Sequence, residues 1–130
     1  MLTHPAETSP AALSGDAGVL LDEAVIAELE ALGAGLLPDL LTLYFSEATG
    51  QIVELEGAIG RVEARAVGLT SHKLKGGSSA VGAARVSRIA AALEATAHAD
   101  DLESAEALLE GLRRALDQAR EALRARMADD

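Results

Sequence analysis

The chain has 130 residues, 49% of them hydrophobic but only 2% aromatic, and a formal net charge of −10 at pH 7. This length suits one domain with one core, which must be built from Leu, Ala, Val and Ile. The absence of cysteine excludes a disulfide framework, a zinc–thiolate site and a thiol nucleophile. No basic, apolar leader follows Met1, and no apolar run is long enough to cross a membrane. We therefore expect a cytoplasmic protein.

The N-terminal part of the chain divides into an irregular segment and a short helix. Residues 1–18 are rich in Pro, Ser, Thr, Gly and Ala and have no apolar period, which predicts a disordered tail. Asp22 is a good N-cap for the short helix EAVIAELEAL, which should end at Gly33 and Gly35. We predict a folded helical domain over residues 19–128, with this short helix first.

Four longer helices follow. The second predicted helix starts near Pro38, which a first helical turn tolerates, and the third runs from about Arg61 to Val81. The fourth starts near Ala83, and the last starts near Asp101, whose side chain is expected to cap it. Apolar residues of the last helix alternate in steps of three and four, as in the packing seam of an antiparallel bundle: Leu102, Ala105, Leu109, Leu112, Leu116, Ala119, Leu123. We predict an all-α fold, an antiparallel up-and-down four-helix bundle with a short extra N-terminal helix.

The charges are unevenly distributed along the chain. Residues 1–60 contain no Lys or Arg, whereas residues 61–88 contain six basic residues and a single acidic one. An acidic protein without nearby aromatic residues is a poor nucleic-acid binder, since the phosphate backbone is repelled and no bases can stack. The basic region instead favours a small acidic group, or the acidic face of a partner protein.

The third predicted helix contains an unusual cluster of glycines around a histidine. On a helical wheel centred on Leu74, His72 lies on the outer face. Gly68 and Gly76 each lie one turn from His72, and we predict that they clear the surface around its ring. Gly77 points toward the core side of the wheel, where we predict that it lets a neighbouring helix approach closely.

This pattern has a chemical interpretation. A neutral imidazole that faces water is available as a nucleophile at neutral pH. A phosphoryl group on its nitrogen would be strongly anionic, and Lys75, which lies beside His72, could hold it together with neighbouring hydroxyls. A lone surface histidine is most often only a surface residue, but the glycines, the lysine and the local positive charge together favour a functional site.

The stretch HKLKGGSSAVGA resembles the signature of the histidine-containing phosphotransfer (HPt) domain family. The matching residues are His72, Leu74, Lys75, Gly76, Gly77, Ser78 and Gly82. The stretch LLPDLLTLYFSEA is similar to the second helix of that family, and LEATA at 93–97 to the end of a later helix. The resemblance covers roughly residues 19–127.

The resemblance implies a phosphoryl shuttle. His72 would accept a phosphoryl group from a receiver-domain aspartate, or from a histidine kinase, and pass it to another receiver. Lys75 and Gly76 would support this chemistry by charge and clearance. Glu94, at a position where family members often carry Glu or Gln, would face the imidazole and accept a hydrogen bond from Nδ1–H. We expect Mg²⁺ on the receiver, no cofactor on this chain, no nucleic-acid or membrane partner, and a monomer.

Further residues are docking candidates for a receiver, because they lie on the outer face of the third helix or among the nearby cations: Arg65, Gly68, Leu69, Lys73, Ser79, Arg85, Arg88. The adjacent Gly76 and Gly77 resemble the phosphoacceptor domains of chemotaxis-type histidine kinases, which leaves the phosphoryl donor open. The chain has no ATP-binding domain, so we expect no autokinase activity.

The sequence also leaves other interpretations open. The protein could be a helical adaptor that binds receivers without carrying phosphate. Glu94 and His98 are spaced i, i+4 on one helix, as in some metal sites, although no third ligand is apparent. A carboxylate-based hydrolase is disfavoured because the acidic residues are scattered along the helices.

Overall fold

The computed structural model describes residues 18–128, in which all regular secondary structure is helical. Its helices are α1 (Glu23–Ala31), α2 (Leu36–Gly60), α3 (Ala64–Val81), α4 (Ala84–His98) and α5 (Ala105–Ala128). The predicted all-α class is therefore confirmed. The predicted tail, apart from Gly18, lies outside the described residues.

The start of α1 follows the expected capping chemistry. Asp22 Oδ1 accepts the backbone N–H groups of Ala24 and Val25 at 3.1 and 3.3 Å, which satisfies donors that a helix N-terminus leaves unpaired. The helix ends at Ala31, and Gly35 then adopts a left-handed φ of 91° as the N-cap of α2. This glycine turn starts α2 two residues before Pro38, the predicted start.

Two predicted helix boundaries are wrong. The third helix begins at Ala64 rather than Arg61, because Val62 has a left-handed φ of 53° and closes the preceding helix. There the N–H of Glu63 donates to Ala58 O at 2.9 Å. The last helix begins at Ala105 rather than near Asp101. Asp101 Oδ1 accepts the N–H of Glu103 at 3.1 Å, within a turn that precedes the helix.

The helices pack in chain order around one core. α3 packs most extensively on α4, and further contacts join α2 to α3, α4 to α5 and α5 back to α2, while α1 packs on α2 and α3. The largest fully buried side chains come from all five helices, and they include Ile26, Leu41, Leu55, Leu74, Leu93 and Leu112. The predicted core face of α4 is confirmed, since Val86, Ile89, Leu93 and Ala97 are all buried.

Backbone and side-chain bonds hold the chain before α1 against the turn between α3 and α4. The N–H of Asp22 donates to Gly82 O at 2.8 Å, and the N–H of Arg85 donates to Leu20 O at 3.2 Å. Gly82 has a left-handed φ of 82°, and a Cβ there would lie 2.9 Å from Ile26 Cγ1. A glycine is therefore required at this turn by both conformation and space. Among the described residues, no helix is long and apolar enough to span a membrane.

Candidate functional site

His72 projects from the middle of α3 toward solvent, with 66% of its side chain exposed. Its Nδ1 lies 2.9 Å from Glu94 Oε2 on α4. An ionised carboxylate only accepts hydrogen bonds, so this contact places the proton on Nδ1 and leaves a lone pair on Nε2. The geometry therefore orients the ring and leaves Nε2 as the nitrogen whose lone pair is available.

Glu94 binds a second donor with its other oxygen. Its Oε1 lies 2.9 Å from Lys75 Nζ, and the carboxylate side chain is only 13% exposed. The pKa of Glu94 is lowered, first by the hydrogen bond from Lys75 and also by the one from His72, although partial burial acts in the opposite direction. The carboxylate is consequently ionised at neutral pH, and it joins α3 to α4 through both donors.

A second imidazole lies near the same carboxylate. His98 Nε2 is 3.9 Å from Glu94 Oε2, which is longer than a hydrogen bond, and its side chain is 70% exposed. Among residues 18–128, no group of three or more His, Cys, Asp or Glu side chains is arranged to hold a metal ion.

The structure exchanges the predicted roles of two glycines. Gly77 is exposed, and a Cβ there would meet no atom within 4 Å, so the prediction that it allows close helix packing was wrong. Gly68 is buried, which corrects its predicted place on the open surface. A Cβ at Gly68 would lie 3.4 Å from His98 Cδ2 and 3.6 Å from Ala97 Cβ. Because α3 packs most extensively on α4, its buried stripe is rotated toward Gly68.

Gly76 leaves open space beside the histidine. It lies one helical turn after His72 and is exposed, and a Cβ there would meet nothing within 4 Å. Leu69 is 57% exposed, and Arg65 and Lys73 are also exposed on α3. The outer face of α3 thus presents one apolar and two cationic side chains near the ring.

The surface beside Lys73 is more acidic than the sequence of α3 alone predicts. Lys73 lines a shallow depression together with four residues of α2: Glu47, Gly50, Gln51 and Glu54. Only the packing of α2 against α3 brings these carboxylates near a lysine that adjoins His72 in sequence. A partner that approaches His72 from this side would meet both signs of charge.

Ser79 takes part in a hydroxyl pair between α3 and α4. Its Oγ lies 2.6 Å from Ser87 Oγ, and the hydroxyl of Ser87 also donates to the backbone carbonyl of Lys75 at 3.2 Å. Ser87 was not among the predicted site residues. Its contact supports the backbone at Lys75, although nothing in a single-helix wheel would indicate it.

Arg85 and Arg88 bind the protein's own chain. Arg85 Nη1 donates to Gln118 Oε1 and its Nη2 to Gly18 O, both at 2.8 Å. Arg88 Nη2 donates to Val19 O at 2.6 Å. These guanidinium groups hold the segment that precedes α1, and a docking role for them stays a prediction.

Comparison with known proteins agrees with this arrangement. The family model for the Hpt domain matches residues 39–122. Among solved structures, the chain is similar to the crystal structure of histidine-containing phosphotransfer protein B (HptB) from Pseudomonas aeruginosa PAO1. The two share 27% sequence identity with a TM-score of 0.81, over 88% of this chain and 99% of that chain. No curated protein sequence gives a significant match.

Since the family model covers more than half of the sequence, this chain belongs to the Hpt domain family. It is a histidine phosphotransfer protein of phosphorelay signalling.

Proposed function

We propose that His72 is the phosphoacceptor, receiving a phosphoryl group from a receiver-domain aspartate or a histidine kinase and passing it to another receiver. One observation carries this assignment. The exposed imidazole donates from Nδ1 to Glu94 at 2.9 Å, which leaves Nε2 to face solvent as the nucleophile.

The proposed transfer conserves atoms and charge without a further reactant. The Nε2 lone pair of His72 forms the N–P bond while the P–O bond to the receiver aspartate breaks, and the electron pair stays on the aspartate carboxylate. The proton on Nδ1 remains on the ring, which becomes a phosphoimidazolium. Glu94 favours this step because its negative charge stabilises the developing ring cation. The return reaction runs through the same atoms.

Lys75 and Gly76 complete the proposed site. Lys75 supplies a positive charge for the phosphoryl oxygens, and Gly76 leaves room for the partner's active site to close over Nε2. We expect the receiver to contribute the Mg²⁺ that neutralises charge in a loose phosphoryl-transfer transition state. This chain then contributes a positioned nucleophile rather than a metal or cofactor of its own.

Proteins of the Hpt family interact with receiver domains and kinases. We propose that the receiver docks on the outer face of α3, where exposed Leu69 supplies an apolar contact and Arg65 and Lys73 steer an acidic partner pocket toward His72. Ser79 lies on the same face, one turn after Lys75. We also propose that Arg85 and Arg88 contact the receiver, although each already donates a hydrogen bond to a backbone carbonyl of this chain.

We also propose the finer architecture expected from the sequence. The order of helix contacts supports an antiparallel up-and-down bundle of α2 to α5 with α1 as the extra helix, within a domain over residues 19–128. The concentration of large apolar side chains in a single core supports a monomer. A cytoplasmic location fits a phosphorelay component.

Label transfer tests the phosphoacceptor directly. A receiver carrying radiolabelled aspartyl phosphate and Mg²⁺ should label the wild-type chain, with acid-labile and base-stable chemistry, whereas ATP alone should not. His72→Gln should abolish labelling and keep the helical circular dichroism spectrum. The matched control is His98→Gln, which removes an equally exposed imidazole on α4 and should still accept label.

The same experiment distinguishes a phosphocarrier from the alternative function, an adaptor that binds receivers without carrying phosphate. A chain that binds receivers but accepts label from none of a panel would be an adaptor. Label that persists in His72→Gln would place the phosphoacceptor elsewhere and contradict the assignment.

A further inference from the structure

The carboxylate of Glu94 is shared between the nucleophile and the cation of the proposed site. Oε2 lies 2.9 Å from His72 Nδ1, and Oε1 lies 2.9 Å from Lys75 Nζ. Glu94 is the least exposed of the three side chains, and it is the acceptor common to both. If Lys75 leaves Glu94 for another anion, the carboxylate charge near the His72 ring is therefore no longer neutralised by the lysine.

A phosphoryl group on Nε2 would compete for the same ammonium. It carries close to two negative charges near neutral pH and offers three acceptor oxygens. Lys75 follows His72 by one helical turn, so its flexible side chain can turn from the carboxylate toward the phosphoryl oxygens. Interaction energy that Lys75 keeps with Glu94 is then unavailable to the phosphoryl group.

We propose that Glu94 sets the phosphotransfer potential of the phosphohistidine by competing with the phosphoryl group for Lys75. This inference rests on the proposed function of His72. The carboxylate of Glu94 binds Lys75 in the unphosphorylated protein. When Lys75 moves to the phosphoryl group, the phosphohistidine is therefore stabilised only by the difference between the new contact and the one that is lost. The phosphohistidine is less stabilised as a result, and transfer to the next receiver is favoured.

This competition opposes the stabilisation of the ring cation by Glu94. Glu94→Gln keeps a carbonyl oxygen for Nδ1–H but removes the charge that acts on both the ring and Lys75. Lys75→Met removes the ammonium and preserves much of the side-chain length. If Glu94 acts through Lys75, the two substitutions are coupled, and a double-mutant cycle measures that coupling.

The experiment measures the equilibrium distribution of label between the chain and one receiver, for the wild type, both single variants and the double variant. Glu94→Gln should shift label toward phosphohistidine by about two- to fivefold, the size expected of a partly exposed charge pair. Lys75→Met should shift it toward the receiver. In the Lys75→Met background, Glu94→Gln should no longer shift label toward phosphohistidine.

Two outcomes would overturn the proposal. Equal movement of label by Glu94→Gln in both backgrounds would mean that the carboxylate does not act through Lys75. Movement of label toward the receiver with Lys75 present would mean that stabilisation of the ring cation by Glu94 outweighs the competition. Glu121→Gln removes an exposed carboxylate on α5 and should leave the distribution unchanged. Absence of label on wild type, by contrast, would refute the proposed function and this inference with it.

Discussion

The hydroxyls of Tyr44 on α2 and Ser78 on α3 share a buried hydrogen bond of 2.6 Å. The phenol of Tyr44 is buried, and this burial raises its pKa to about 12. The bond joins α2 to the helix that carries His72, and it pairs two polar groups that would otherwise be costly to bury.

Removing one partner of this pair should destabilise the protein. Tyr44→Phe leaves the Ser78 hydroxyl buried without its partner, and Ser78→Ala does the same to the phenol. We expect each to lower the free energy of unfolding by about 1–2 kcal/mol, measured by urea denaturation. The double variant should cost less than the two single costs combined, because it leaves neither group unpaired. Strict additivity would show that the two hydroxyls do not interact.

The ion pairs of Glu94 should give a stability contribution that acid removes. The pKa of this carboxyl is below its ordinary value of 4.5, so the folded state binds a proton less readily than the unfolded state. The contribution is fully present above the ordinary pKa and is lost as the pH falls through the lowered one. The stability difference between wild type and Glu94→Gln should therefore be constant near neutral pH and shrink below about pH 4.5. An unchanged difference across that range would contradict the ion pairs.

The two adjacent glycines should respond differently to alanine. Neither has an atom within 4 Å of the added Cβ, so Gly76→Ala and Gly77→Ala should each raise the free energy of unfolding by about 0.5–1 kcal/mol through helix propensity. Only Gly76→Ala should slow phosphotransfer, because Gly76 lies on the same face as His72. Equal rates for the two variants would remove the clearance role proposed for Gly76.

The hydroxyl of Ser71 offers a test of packing on the buried face of α3. This side chain is fully buried, and its Oγ has no hydrogen-bond partner among the described residues. Ser71→Ala should raise the free energy of unfolding, by about 1 kcal/mol, since it removes an unpaired polar atom and improves helix propensity. Thermal denaturation would show this as a higher Tm, whereas a lower Tm would reveal a partner for the hydroxyl.

Leu69 should contribute to receiver docking. Leu69→Asp replaces a 57% exposed leucine with a charge that repels an acidic receiver pocket, and binding should weaken at least several-fold in titration calorimetry. Leu32→Asp makes the same change at a 70% exposed leucine in the turn after α1, and it should bind as wild type does. If both variants bind equally well, the docking surface does not include Leu69.

Much of this protein follows from local sequence. Apolar residues spaced by three and four predict the helices and most of their buried faces, because that spacing places side chains on one side of a helix. Asp22 as a cap depends only on the next few residues, and it lies where predicted. The outward direction of His72 likewise follows from its angle to Leu74 on the same helix.

Tertiary packing decided how each helix is rotated against its neighbours. The close approach of α3 to α4 makes Gly68 the buried glycine and leaves Gly77 open, because a wheel for one helix contains no information about the second. Packing of α3 on α4 also brings Lys75 to Glu94. Packing of α2 on α3 places carboxylates of α2 beside Lys73. The sequence alone was enough to propose His72 as the phosphoacceptor, whereas the charged side chains around it meet only when the helices pack.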